Sequence, residues 1–206
     1  MQNYADLLFI NEVRDLQDEV GTGETYANVY PTRTKDSLDE SEIAFISTRK
    51  SFYIASVSST GWPYVQHRGG PEGFLKVIDN NLLGFADYSG NRQFITMGHS
   101  AQDDRVALFL MDYENRSRLK MMGHLKMQHA KDADPELLES LTTAGEGKVD
   151  RVATIDVISI DWNCPKYIPQ LIDIEKVKAY AYSQTQKLKE ENQVLKLELE
   201  RLKAKV

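Results

Sequence analysis

The stretch FYIASVSSTGWPYVQHR, Phe52–Arg68, decides the fold. An apolar, partly β-branched run (Phe52–Val57) meets a Ser-Thr-Gly turn ending at Gly61, and a second run follows to Arg68. Two such runs around a turn of small polar residues and glycine read as an antiparallel hairpin. The next segment repeats the design: GFLKVIDNNLLGFADY, Gly73–Tyr88, turns at Asp79-Asn80-Asn81. RVALFLMDY and RLKMMGHLKMQH flank Glu114-Asn115 as two further strands, and DRVATIDVISIDW, Asp150–Trp162, is the last long one. Strands at short spacing, joined by turns, predict an antiparallel barrel or sandwich of six strands. A parallel doubly wound sheet is excluded because helical stretches do not alternate with the strands.

Outside this block the pattern is helical. Residues 1–48 read as irregular and helical, with Ile10, Val13, Leu16 and Val20 at helical spacing before Gly21. Asp39-Glu40-Ser41-Glu42 resembles a capping box opening a helix that runs to about Thr48. GTGETY, Gly21–Tyr26, is no dinucleotide loop: it follows a helix-like segment and lacks the third glycine. ADPELLESLTTAG is a short helix with Asp134 as cap and Pro135 at its first position. From Asp173 onward there is neither Gly nor Pro. Leu188, Leu195 and Leu202 recur every seven residues, placing Asn192, Leu199 and Val206 at a, lysines at e and glutamates at g. That arrangement predicts a coiled coil. The organisation is thus a helical segment (1–48), a barrel (49–172) and a C-terminal helix (173–206).

Bulk composition limits function. The net charge of −6 argues against a nucleic-acid or anionic-membrane binder, and 41% hydrophobic content is ordinary for a globular chain. No run of about 18 apolar residues could span a membrane. The acidic, amphipathic N-terminus lacks the form of a signal peptide, and the single Cys164 allows no intrachain disulfide; a cytoplasmic location is expected. Four scattered histidines and one cysteine offer no metal-binding spacing, so no metal is expected. No G-x-S-x-G nucleophile motif occurs.

Two stretches do carry chemistry. In PYVQHRGGPEGF, Gln66, His67 and Arg68 put polar donors on both faces of one strand, before two glycines that permit close approach of a planar group. In YSGNRQFITMG, Tyr88–Gly98, an apolar strand ends, turns at Ser-Gly-Asn and starts a helix with Arg92 in its first turn. Two readings stand on local chemistry: Gly90 and Asn91 make a plain tight turn with Arg92 a solvated surface residue, or unpaired helix N–H groups plus the guanidinium form an anion site.

These stretches, together with RVALFLMDYENRSRLKMMG and DWNCPKYIPQL, resemble the pyridoxamine 5'-phosphate oxidase-like FMN-binding split-barrel family over residues 40–172. The resemblance implies a six-stranded antiparallel split β-barrel, an obligate homodimer, and FMN at the dimer interface. By position, Gln66, His67 and Arg68 match the strand along the flavin ring and ribityl chain, and Phe85, Ala86 and Asp87 the neighbouring strand. Asn91, Arg92 and Gln93 fall at the phosphate grip, and Arg118 at the pyrimidine edge. Trp162 and Asn163 match a subfamily motif lining the site from the partner subunit. His99 stands where relatives often carry asparagine, and the Arg-rich substrate segment of the true pyridoxamine phosphate oxidases is replaced by Lys- and Glu-rich heptads. The implied function is an FMN-dependent oxidoreductase acting on a small molecule, with no evident general acid or base; His67 and Tyr88 are candidates by position alone. A flavin or haem carrier or sensor, and an enzyme using deazaflavin or degrading haem, are the alternatives on the same barrel.

Overall fold

The computed structural model describes residues 1–144, 146–162 and 166–204. They form two compact units.

The first unit spans residues 1–112 and 117–166. Its strands are β1 (Ser51–Val57), β2 (Pro63–Gly69), β3 (Lys76–Asp79), β4 (Leu82–Tyr88), β5 (Arg105–Asp112), β6 (Ser117–His129) and β7 (Val149–Trp162). All pair antiparallel in the order β2-β1-β5-β6-β7-β4-β3. The expectation of six strands is corrected to seven: the three hairpins and the last long strand read from the sequence already amount to that number, and the short Lys76–Asp79 segment does pair with β4. The ladder is also open: among the described residues the edge strands β2 and β3 do not pair with each other.

Side chains bring the two ends of this sheet together. Phe52 on β1 packs against Phe85 on β4, with ring centroids 5.5 Å apart, and against Phe74 at 5.8 Å. Arg68 on β2 is ion-paired to Asp87 on β4. The inward positions of β1, β5, β6 and β7 (Ile54, Leu108, Met121 and Ile155 among them) fill one core that also takes Ile46. Alternation along β1 and β5 is regular, as a sheet buried on one face requires. The β1–β2 turn closes as expected, with Gly61 at φ +86° and its N–H donating to the Ser58 carbonyl at 2.9 Å. On β7 a bulge leaves Ile158 unpaired opposite the Met122–Gly123 step of β6, and at Gly123 a Cβ would stand 2.6 Å from the Asp156 carbonyl oxygen, so only glycine fits.

The helices of this unit are α1 (Tyr4–Leu8), α2 (Asn11–Glu19), α3 (Gly23–Arg33), α4 (Glu40–Ser47), α5 (Ile95–Ser100) and α6 (Pro135–Leu141). The capping box forms at α4: Asp39 accepts from Ser41 N–H, and Glu42 accepts from Asp39 N–H at 3.1 Å. Glu42 is fully buried and also accepts from Lys35 Nζ (2.8 Å) and Trp162 Nε1 (2.5 Å). The apolar positions of α2 and its caps bury little: Ile10, Leu16 and Val20 are each at least 60% exposed, and Val13 is half-buried.

The second unit comprises the turn Tyr113–Arg116 and the segment from Tyr167. Gln170 Nε2 donates to the Glu114 carbonyl at 3.0 Å, and Lys176 is ion-paired to Glu114. The segment continues as α7 (Ile174–Lys203), a single 30-residue helix capped by Asp173, with no buried residue. Among the described residues no helix is long and apolar enough to cross a membrane.

Candidate functional site

A cleft of about 240 Å³ opens where β2, β4, β7 and the approach to α5 meet. On β2, burial alternates so that Tyr64, Gln66 and Arg68 face the cleft side while Val65 and His67 point away. Asp87 and Tyr88 come from the end of β4, and Asp150 and Arg151 from the start of β7. Adjacent residues of a regular strand point to opposite faces. Here both pairs reach the cleft because the β4–β7 ladder shifts register: Asp87 pairs with Arg151 and Tyr88 with Val149, leaving Asp150 as the extra residue. The bulge turns Asp150 towards the cleft, where it accepts from Ser89 Oγ at 2.6 Å.

The loop Gly90–Phe94 closes one side, and it corrects the expected helix start. α5 begins only at Ile95, so Arg92 precedes the helix instead of occupying its first turn. Asn91 Oδ1 accepts the Gln93 N–H at 3.1 Å, an Asx turn around Arg92. Arg92 sits at φ +59° and Phe94 at φ +55°, left-handed conformations that no α-helix passes through. Arg92 is therefore presented by a loop, and not by a helix N-terminus.

The charge arrangement is the cleft's main feature. Arg68, Arg92 and Arg151 converge on it against the two carboxylates of Asp87 and Asp150. Asp87 binds both Arg68 and Arg151, the latter at 3.3 Å. The side chains of this triad are between 11 and 19% exposed, so water screens them little. The guanidinium of Arg151 lies 4.5 Å from the Phe94 ring centroid, and that of Arg68 lies 5.5 Å from Phe85. The Nε atoms of Arg68 and Arg151 are buried without a hydrogen-bond partner among the described residues. Two partly desolvated guanidiniums with unspent donors suit a planar or tetrahedral oxyanion. Beside them, Thr96 Oγ1 donates to Gln66 Oε1 at 2.7 Å, which fixes the Gln66 amide, and Met97 and Met127 supply apolar wall.

The cleft thus gathers Gln66, Arg68, Asp87, Asn91, Arg92 and Gln93 of the residues singled out in the sequence. Others lie elsewhere within the single chain. His67 packs edge-on against Tyr53, at 5.5 Å, on the opposite face of β2. Phe85 and Ala86 are buried, Phe85 as the core floor beneath Arg68. Arg118 stacks over Phe109 at 5.4 Å, and its Nε is also buried without a partner. Trp162 packs against Phe45 at 4.8 Å and donates to Glu42. Asn163 and its neighbours Cys164 and Pro165 lie outside the described residues. His99 accounts for its own place: Nδ1 lies 3.0 Å from the buried Ser56 Oγ, joining α5 to β1. Tyr88 lines the cleft, but its hydroxyl accepts the Thr143 N–H at 2.8 Å.

Sequence reading missed Arg151, Asp150, Thr96 and Tyr64. Tyr64 was legible, two residues before Gln66 on the same face of a strand; Arg151 was not, since its position depends on a bulged pairing with a strand 64 residues away. A second hollow, of about 740 Å³, is bordered by Tyr26, Tyr30, Arg33, Asp161 and Trp162. Its charges already serve one another: Asp161 accepts from Lys120 Nζ at 2.6 Å and lies 3.9 Å from Arg33. Burial, and then the Asp161 carboxylate, raise the Tyr30 phenol above its ordinary pKa.

Solved structures share this arrangement of strands. HupZ of Group A Streptococcus superposes with a TM-score of 0.50 at 12% identity, covering 66% of this chain and 99% of its own. The fold is that of the pyridoxamine 5'-phosphate oxidase-like split-barrel proteins. Also similar are a Clostridium acetobutylicum protein of the pyridoxinephosphate oxidase family, related to general stress protein 26 (13% identity, TM-score 0.44, 68% of this chain and 99% of that one), and an FMN-binding protein from Syntrophomonas wolfei (10%, 0.42, 74% and 95%). No protein-family model and no curated protein matches the sequence.

Proposed function

We propose that this chain is a cytoplasmic FMN-binding oxidoreductase whose β2–β4–β7 cleft holds the phosphate end of the nucleotide. One observation carries the reading: three guanidiniums meet two carboxylates, and the buried Nε–H groups of Arg68 and Arg151 have no partner among the described residues. A phosphate supplies both the missing acceptors and the missing charge. Arg92, the most exposed of the three, would close over it from the loop, and Asn91, Gln93, Gln66 and Thr96 offer further polar contacts for phosphate and ribityl oxygens. When bound, the flavin supplies two-electron transfer to and from a small substrate; the protein orients the ring and tunes its charge. Arg118, whose Nε is likewise unpartnered, would stabilise the reduced anionic ring at its pyrimidine edge. The cleft's volume falls below the ~300–1,000 Å³ of pockets that enclose a ligand of that size. That favours a site completed by a second copy, which would contribute Trp162 and Asn163.

A flavin carrier or sensor is the second reading, and one observation favours it. Among the described residues lining the cleft, most titratable side chains are already engaged: Asp87 by two arginines, Asp150 by the Ser89 hydroxyl and the Tyr88 hydroxyl by Thr143.

The test is a titration of the purified protein with FMN and riboflavin, followed by the visible flavin bands. FMN binds far more tightly than riboflavin. Arg92→Ala, which removes an exposed charge-assisted contact, weakens FMN by about tenfold, the low end for such a bond, and leaves riboflavin unchanged. Equal losses for both ligands refute the phosphate assignment; flavin bound without reduction by any donor in an anaerobic substrate panel favours the carrier.

A further inference from the structure

The outer half of α7 shows water a face that a monomer has no reason to keep apolar. Leu188, Leu195, Leu199 and Leu202 are 58, 62, 52 and 57% exposed, on a helix without a buried residue. Three of them fall at one heptad position and Leu199 at the other seam position, so they form a single stripe. Val194 and Leu197 stand outside it, on the far side of the helix.

We propose that a second copy of this chain covers the stripe, in a parallel, in-register, two-stranded coiled coil over Thr185–Lys203. Leucine at every d position supplies the seam. Orientation follows from charge. With the strands parallel, each g residue faces the e residue of the following heptad on the other strand, so Glu191 meets the partner's Lys196 and Glu198 meets the partner's Lys203. With the strands antiparallel, g faces g and e faces e, which sets glutamate against glutamate and lysine against lysine. Asn192 chooses the same way. At a it lies opposite its own copy only in the parallel register; in the other it is buried against leucine with no amide to pair with. One of its N–H groups donates to the Leu188 carbonyl at 2.9 Å, and the rest of the amide serves the partner. Thr185 at the preceding a position adds little apolar surface, so the polar layer fixes register at a cost in stability.

Site-specific crosslinking of the full chain tests this. In a Cys164→Ser background, Asn192→Cys places one thiol of each copy across the seam within disulfide reach, whereas Glu190→Cys, at the outer f position, points both thiols away. Mild oxidation should convert most of the Asn192→Cys chain to a covalent dimer, at a yield independent of protein concentration, and leave the Glu190→Cys chain largely monomeric on a non-reducing gel. Equal crosslinking of both variants, crosslinking of Glu190→Cys alone, or none at position 192 overturns the parallel coiled coil.

Discussion

Replacing Asp87 with asparagine isolates the charge balance of the cleft. The side chain keeps its shape and one oxygen acceptor, but its two arginines lose their counterion. A charge-assisted hydrogen bond contributes about 1.5–3 kcal/mol and a neutral one about 0.5–1.5, so each of the two bonds weakens by about 1–1.5 kcal/mol. The total, about 2–3 kcal/mol, sits just under the 3–5 kcal/mol for breaking a wholly buried pair, in keeping with side chains that retain 11–19% exposure. For a folded unit of this size that lowers Tm by roughly 4–12 °C. The sign reverses for the ligand. Arg68 and Arg151 then direct their full charge at the cleft, so FMN binds Asp87→Asn more tightly and raises its Tm by more than it raises the wild type's. Melting curves with and without saturating FMN, and with riboflavin as control, read both effects. An unchanged apo Tm shows that the carboxylate does not hold the arginines. Equal FMN shifts in the two proteins show that the arginines do not meet the phosphate, and the functional reading then fails.

Arg92→Gly separates strain from binding: the left-handed φ costs a non-glycine residue about 1–2 kcal/mol, partly offset by the ~0.5–1 kcal/mol that glycine adds to the cost of ordering, so the variant melts no lower than wild type while FMN affinity falls. A lower Tm refutes the strain argument. Lys35→Met leaves the fully buried Glu42 carboxylate with only uncharged hydrogen-bond donors and should cost about 3 kcal/mol in urea unfolding, partly recovered by adding Glu42→Gln; a loss under about 1 kcal/mol shows that the pair is not needed. The Arg105 guanidinium lowers the exposed Asp103 carboxyl from 3.8 to about 2. Its contribution is therefore complete above about pH 4 and lost as pH falls through 2, and Asp103→Asn should flatten the stability–pH curve in that window; an unchanged acid slope sinks the assignment.

How much could be read in advance followed from the range over which each interaction acts. Hairpin turns, the Asp39 capping box and the Asp134 cap are local, and they formed where the residues stand. The start of α5 is local too, yet it lies later than the sequence predicts: the Asx turn of Asn91 competes with helix for the same N–H groups, and the positive φ values fall on Arg92 and Phe94, neither of them glycine. The apolar spacing in α2 predicted a helix but not its exposure, because period alone does not say whether a surface exists to cover it.

The cleft needed information of a different kind. Arg68 is legible as a polar residue on a half-buried strand, but its neighbours come from the far end of the ladder, reached only because the sheet coils until Phe52 meets Phe85. Arg151 and Asp150 stand at the head of a strand that reads as plain core. Slipping β7 by one residue against β4 would turn Arg151 outward and strand Asp87 beside a single arginine. The bulge opposite Tyr88 absorbs that slip locally, keeping the core register of Val152 and Ile155 while delivering both charged residues to the cleft. The site's electrostatics are thus set by a one-residue irregularity in pairing, and that irregularity is the feature a single sequence does not print.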